Sequence, residues 1–431
     1  MINCGYANYT KMKKRHFLKT ITTAPLLFRG AFKTLEQLMP AFSDLSAEAL
    51  AGEESFWMEV RRGYRLKPDY INLESGYYCI TPQETLENFL HHVREVNYQG
   101  SYYMRTVRVG NKAAVATRLS EILGCSPQEV IVTRNATESL DTVIGGFDWK
   151  PGDEAVMAEQ DYFAMLEMFR LQAKRHGIIN KLVSVPNHPT SDEEIVDLYA
   201  SAITPRTRLL MVCHIINITG QILPIRKICD MAHSRGVEVM VDGAHAFGHF
   251  DFKIADLNCE YYGSSLHKWL STPLGAGLLY VRKDKVKGLW PLFGDPREPD
   301  DILRLNHTGT HPVHTDLAIG NAIDYMERLG LERKEARLRY LQRYWSSKVR
   351  DWDGIKVNTP TEPQRSCGIG NVGIEGMKPA EMADRLMKEH RIFTVAIDGA
   401  GVHGCRISPN VFTTIKELDI FVEALRMLAK A

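Results

Sequence analysis

Val237-Glu238-Val239-Met240-Val241-Asp242-Gly243-Ala244-His245 reads as a short buried strand that stops on an acid. The next strand along the chain ends in Gly263-Ser264-Ser265-Leu266-His267-Lys268-Trp269, which places a lysine just past its end. A carboxylate and an amine at neighbouring strand ends suit a pyridoxal 5'-phosphate (PLP) ring. The acid pairs with the pyridinium nitrogen and keeps it protonated, so that the ring works as an electron sink. The amine forms the Schiff base with the aldehyde. Either residue alone reads as an ordinary strand-end aspartate or a solvated surface lysine. The surroundings decide between the two.

Outward from this stretch, short β-rich runs alternate with helical segments. Strands are expected at 130–133, 154–158, 181–185, 209–213, 237–241, 260–263 and 276–281. Helices are expected from Thr137, over 166–175, from an Asp192 cap to Ala202, and over 225–234. Strands separated by helices of this length predict an α/β fold with a mostly parallel seven-stranded sheet between helices. In such sheets ligands bind beyond the carboxyl ends of the strands, where both Asp242 and the 133–138 turn fall. Near Gly330 the pattern changes to a long charged helix, 331–350, followed by a shorter α/β region. The chain is thus expected to divide into a basic tail (1–34), an arm with an amphipathic helix (35–75), a large domain (76–330) and a small C-terminal domain (331–431).

Composition sets outer bounds. The 431 residues are 44% hydrophobic and 24% charged with a formal net charge of +1, ordinary globular material with enough chain for a large core. The near-neutral balance argues against nucleic acid as a partner, and no run is apolar enough to suggest a membrane span. The eight cysteines are scattered without metal-type spacing. Several lie inside apolar runs, as buried thiols do. Lys13-Lys14-Arg15-His16-Phe17-Leu18-Lys19 before a mildly apolar stretch is similar to a twin-arginine export signal, with Met12 an alternative start. Arg29 interrupts that stretch and no small-x-small cleavage site follows, so a basic tail on a cytoplasmic protein is the expected alternative.

Further groups fall where a cofactor would need them. Thr133-Arg134-Asn135-Ala136-Thr137-Glu138 joins a strand to a helix, and free N–H groups there would meet a phosphate. Alone, Thr137 reads as an N-cap. Ser265 and His267 lie close enough to Lys268 to reach the same phosphate. Tyr162 follows the second strand and could stack on a flat ring; otherwise it is a half-buried tyrosine. Asn217 could donate to a phenolic oxygen, or serve the turn before Gly220.

Together these motifs resemble the class V aminotransferase family of fold-type I PLP enzymes, which includes cysteine desulfurases and isopenicillin N epimerase. The resemblance spans about residues 70–428. It rests on Thr133-x-x-Ala136-Thr137-Glu138, Asn217, Val241-Asp242-Gly243-Ala244-His245, Ser265-x-His267-Lys268, Gly309-Thr310 and Arg406. It implies that Lys268 bears the aldimine and shuttles the proton, that Asp242 meets the pyridinium, and that His245 contacts the phenolic oxygen or phosphate. Ala136, Thr137, Ser265 and His267 would hold the phosphate, and Tyr162 would stack on the ring. Thr310 would reach the phosphate bound by a neighbouring subunit, implying a homodimer with shared sites. Arg406 would pair with the α-carboxylate of an amino-acid substrate, and Ser75 and Gly76 would line the substrate mouth.

The outcome of the reaction is less legible. Cysteine desulfurases carry a nucleophilic cysteine on a loop before the carboxylate arginine. Here the segment 396–404 is short and has none, and Cys405 should point away from Arg406 because adjacent strand residues face opposite ways. The resemblance therefore points to the isopenicillin N epimerase-like branch: epimerase or carbon–sulfur lyase chemistry, with transamination the alternative. A catalytically silent protein of the same fold is disfavoured by the joint presence of Lys268, Asp242 and Arg406. His307, His311 and His314 raise the question of zinc. Pro312 breaks any helix that would align them and no acidic ligand is adjacent, so no metal site is expected.

Overall fold

A computed structural model describes residues 35–430; the tail expected over 1–34 lies outside the described residues. In chain order the strands are β1 (Ile71–Asn72), β2 (Val130–Thr133), β3 (Glu154–Ala158), β4 (Ile179–Val183), β5 (Thr207–Cys213), β6 (Glu238–Asp242), β7 (Tyr261–Ser265), β8 (Gly277–Val281), β9 (Ile355–Val357), β10 (Gly370–Ile374), β11 (Ile392–Phe393), β12 (Val395–Gly399) and β13 (Val402–Ile407).

The seven expected strands form one sheet in the order β2-β8-β7-β6-β5-β3-β4. Every neighbouring pair is parallel except those made by β8, which runs antiparallel to both β2 and β7. Successive residues of each central strand enter opposite cores. Leu210, Val212, Val239 and Val241 pack on one face, while Leu209, Met211 and Met240 pack on the other. A sheet buried on both faces explains why these strands read as continuous apolar runs rather than alternating ones. Each such side chain contributes about 1.5–3 kcal/mol by leaving water.

Two expectations shift. The strand expected at 181–185 pairs as Ile179–Val183, because β4 is the sheet edge, with Ile179 and Leu182 exposed. The apolar signal there came from Val183 and Val185, which are buried. The helix expected to be capped by Asp192 is capped by Ser191, whose extended backbone lets its hydroxyl accept from Glu194 N–H; Asp192 is already helical.

A second sheet, β12-β13-β10-β9, is entirely antiparallel and packs on helices Leu331–Val349, Pro379–His390 and Ile415–Ala429. The segment expected as a loop at 396–404 is instead a hairpin. β12 and β13 are joined through Ala400 and Gly401, both at positive φ (52° and 74°), the geometry that matches strand twist in a two-residue turn. The hairpin tip is tied to the large sheet, as Gln160 Nε2 donates to Ala400 O at 3.1 Å. Residues 35–62 form short helices whose Phe56, Trp57 and Val60 pack on Tyr325 and Leu329. The β1 strand pairs with β11, so the 71–75 segment is attached to the C-terminal lobe.

Candidate active site

The ends of β2, β3, β5, β6 and β7 open onto one cavity of about 370 Å³, a size suited to a small cofactor and its substrate. Its wall includes Gly76, Ala136, Thr137, Tyr162, Asn217, Asp242, His245, Ser265, His267, Lys268 and Arg406. Two of the expected residues are elsewhere. Ser75 is fully buried behind the wall, with its N–H given to Ser408. Thr310 is exposed on the turn before helix Val313–Leu329 and does not line this cavity.

Lys268 is held in the turn after β7 with its Nζ 3.0 Å from His245 Nε2. Burial pulls its amine down to about 8, against the opposing pull of Asp242. Asp242 is itself raised above the usual carboxylate range by burial, although Ala244 N–H donates to its Oδ1 at 2.9 Å and Lys268 stands nearby. That single backbone bond leaves the other oxygen for a ring N–H. His245 is held far below the ordinary imidazole range, first by burial and then by the adjacent Lys268, so it is neutral.

One end of the cavity is built by the first turn of helix Ala136–Gly146. Asn135, not Thr137, is its N-cap, accepting from Glu138 N–H at 2.8 Å. Thr137 therefore lines the cavity without capping duty. The Ala136 N–H donates to Ser265 Oγ at 2.9 Å, and the serine hydroxyl keeps its own proton to give. His267 Nδ1 is buried with no hydrogen-bond partner among the described residues, and burial lowers this imidazole to about 4. Tyr162 sits at the N-terminus of helix Phe163–His176 on the cavity wall. A half-satisfied buried carboxylate, an orphaned imidazole nitrogen and a helix N-terminus around one space fit a PLP ring and its phosphate.

Arg406, on β13, reaches the cavity from the C-terminal lobe. Its Nη2 and Nε donate to Glu74 Oε1 and Oε2 at 2.6 and 3.0 Å, and Nη1 donates to Asn217 O at 3.3 Å. Glu74 also accepts from Tyr77 N–H and Ser408 Oγ. Gly76 lies flat against the guanidinium, where a Cβ would stand 3.1 Å from Arg406 Cζ. The sequence alone assigns Glu74 no role. Its partner is 332 positions away, and no local signal could pair them.

Cys405 points to the opposite face of β13, its Sγ directed at Pro379 O inside the small-domain core. Cys213, at the end of β5 beside Asp242, does line the cavity and was not anticipated there. Burial, helped by Asp161 and Asp242, raises its thiol far above the usual range, so it is no thiolate nucleophile. The three histidines of the 307–314 segment diverge: His307 approaches Asp295, His311 approaches Asp316 at 3.2 Å, and His314 packs on Phe89. Asp295 and Asp316, the second of them close in sequence, thus each approach a different histidine.

The family model described as Aminotransferase class-V matches residues 80–421. The chain is 28% identical over 394 residues to an isopenicillin N epimerase of Amycolatopsis lactamdurans, covering 87% of this chain and 99% of that protein. It is 23% identical to a probable cysteine desulfurase of Synechocystis sp., covering 83% and 90%. Among solved structures, C-DES with glycine covalently linked to its PLP cofactor superposes with a TM-score of 0.76 at 20% identity, covering 85% of this chain and 98% of that one.

Proposed function

This chain belongs to the class V aminotransferase family, and from that premise we propose that it is a PLP-dependent enzyme acting at Cα of an amino-acid substrate, by isopenicillin N epimerase-like or carbon–sulfur lyase chemistry. The observation that carries the reading is the convergence of Lys268, Asp242 and Arg406, from two lobes, on one cavity.

When bound, PLP supplies an electron sink for charge developing at Cα. Asp242 would hold the ring nitrogen, and Thr137, Ser265 and His267 would hold the phosphate at the helix N-terminus. Tyr162 would stack on the ring, and Asn217 and His245 would serve its phenolic oxygen. Lys268 Nζ, its amine brought down to about 8 by burial, would carry the proton to and from Cα. Arg406 orients the substrate carboxylate, with Gly76 leaving room for it.

Transamination is the alternative outcome at the same site. A cysteine desulfurase is disfavoured by the hairpin in place of a cysteine-bearing loop and by the inert setting of Cys213 and Cys405. We further propose a homodimer in which Thr310 serves the partner's cofactor. Its exposure outside its own cavity, together with exposed Tyr77, Tyr98, Tyr102 and Leu274, supports this. Among the described residues no helix is long and apolar enough to cross a membrane.

The test is a panel of amino acids and S-conjugates, with the bound-cofactor spectrum followed alongside product. Inverted chirality means epimerisation, ammonia with a keto acid means elimination, and amino-group transfer means transamination. A protein that stays colourless after PLP addition sinks the reading.

A further inference from the structure

Every proton behind Lys268 is fixed by groups that can only donate. The Trp269 indole N–H donates to His245 Nδ1 at 3.3 Å. An indole offers no lone pair, so Nδ1 must accept, and the proton of the neutral ring lies on Nε2. Nε2 is 3.0 Å from Lys268 Nζ, so the bond runs from imidazole to amine and needs the amine's lone pair. An ammonium there would set two N–H groups against each other.

The indole is clamped in turn. Gly368 N–H donates to His249 Nε2 at 2.8 Å, which fixes the His249 proton on Nδ1, from where it is given to His245 O at 2.8 Å. The His249 ring stacks on Trp269, with centroids 3.7 Å apart and planes at 18°. The buried Lys334 ammonium holds the Trp269 carbonyl.

We propose that Trp269 is a positioning residue: it holds His245 as the Nε2–H tautomer and thereby holds Lys268 as the free amine, with His249 keeping the indole in plane. The groups facing Lys268 are Cys213 and Asp242 from β5 and β6, His245 and His267 beside it, and Glu74 and Arg406 from the C-terminal lobe. Asp242 and Glu74 favour the ammonium, whereas burial and Arg406 oppose it; the Cys213 thiol is uncharged. Within that field the direction of the His245–Lys268 hydrogen bond adds a preference for the amine. The proposal rests on Lys268 being the cofactor-bearing amine, but its test reads the lysine alone.

The experiment is the pH dependence of Lys268 acetylation in full-length protein freed of cofactor, followed by peptide mass. Two variants are compared with wild type: Trp269→Phe, and benzothienylalanine at position 269, which keeps the shape and stacking of tryptophan but has sulfur in place of N–H. Without the donor, His245 can present an Nε2 lone pair and the ammonium gains an acceptor. The labelling midpoint then rises from about 8 by a unit or more, and labelling at neutral pH slows about tenfold per unit. A benzothienylalanine variant with wild-type melting temperature and an unchanged or lowered midpoint overturns the proposal, whether or not Trp269→Phe folds. Loss of the cofactor band in wild-type enzyme would instead count against the proposed function and leave this comparison intact.

Discussion

Arg406 gives two donors to the two carboxylate oxygens of Glu74, at 2.6 and 3.0 Å, with both side chains buried. The Nε–Nη2 edge of the guanidinium is therefore taken, so in its proposed role Arg406 would have to meet a substrate carboxylate from the Nη1 side. Removing one member leaves a buried uncompensated charge. Glu74→Ala should cost about 3–5 kcal/mol, whereas Glu74→Leu with Arg406→Leu should recover much of that loss. Denaturant unfolding of the singles and the double measures this, and strictly additive losses would show the pair to be uncoupled.

Arg406→Lys keeps the charge but loses the fork. It should raise KM for amino acids while cofactor binding, read from the absorbance band, is unchanged. Loss of cofactor with unaltered KM would remove Arg406 from the substrate site.

Gly76→Ala should act on the same interaction by sterics alone. A Cβ 3.1 Å from Arg406 Cζ must displace the guanidinium, so KM rises with little change in melting temperature. A wild-type KM would mean the guanidinium has room to yield.

Asp161 offers a pH test of the fold. Burial lifts its carboxyl to about 7, above its unfolded value, so the folded state holds a proton that the unfolded chain has lost. Between the two values stability falls as pH rises, by about 1.4 kcal/mol per unit at most. Asp161→Asn cannot titrate and should flatten that fall. Parallel unfolding curves at pH 5 and 8 for wild type and variant decide it; equal pH sensitivity would place the titration elsewhere.

Cys213→Ala and Cys405→Ala should both retain turnover, since neither thiol is activated and Cys405 faces the core. Abolished activity in Cys405→Ala with an intact cofactor spectrum would revive sulfur-transfer chemistry.

The large sheet was legible because burial on both faces leaves apolar runs that need no periodicity to detect, as in Val237–Val241. The edge strand β4 was misplaced because half its residues face water and carry no such signal. The β12–β13 hairpin was read as a loop because Asp398 and Gly399 are exposed and the strand is short. Of the site, the strand-end residues were legible from type and spacing. The Glu74–Arg406 pair was not, because it joins distant parts of the chain. Trp269 stood beside Lys268 in plain sequence, yet only three-dimensional geometry shows which histidine nitrogen receives its proton.

The short β1–β11 pair has a mechanical consequence. It grafts the 71–75 segment onto the lobe that carries Arg406, and the Glu74–Ser408 bridge extends the graft. Four residues past Ser75, Cys79 N–H is already bonded to His267 O in the large lobe. Along the chain, the few residues around Tyr77 are therefore the span that links the two attachments. Glu74 and Arg406 thus share one lobe, so the charges that shape this wall are held together by the C-terminal lobe's own sheet contacts and not by closure against the large sheet.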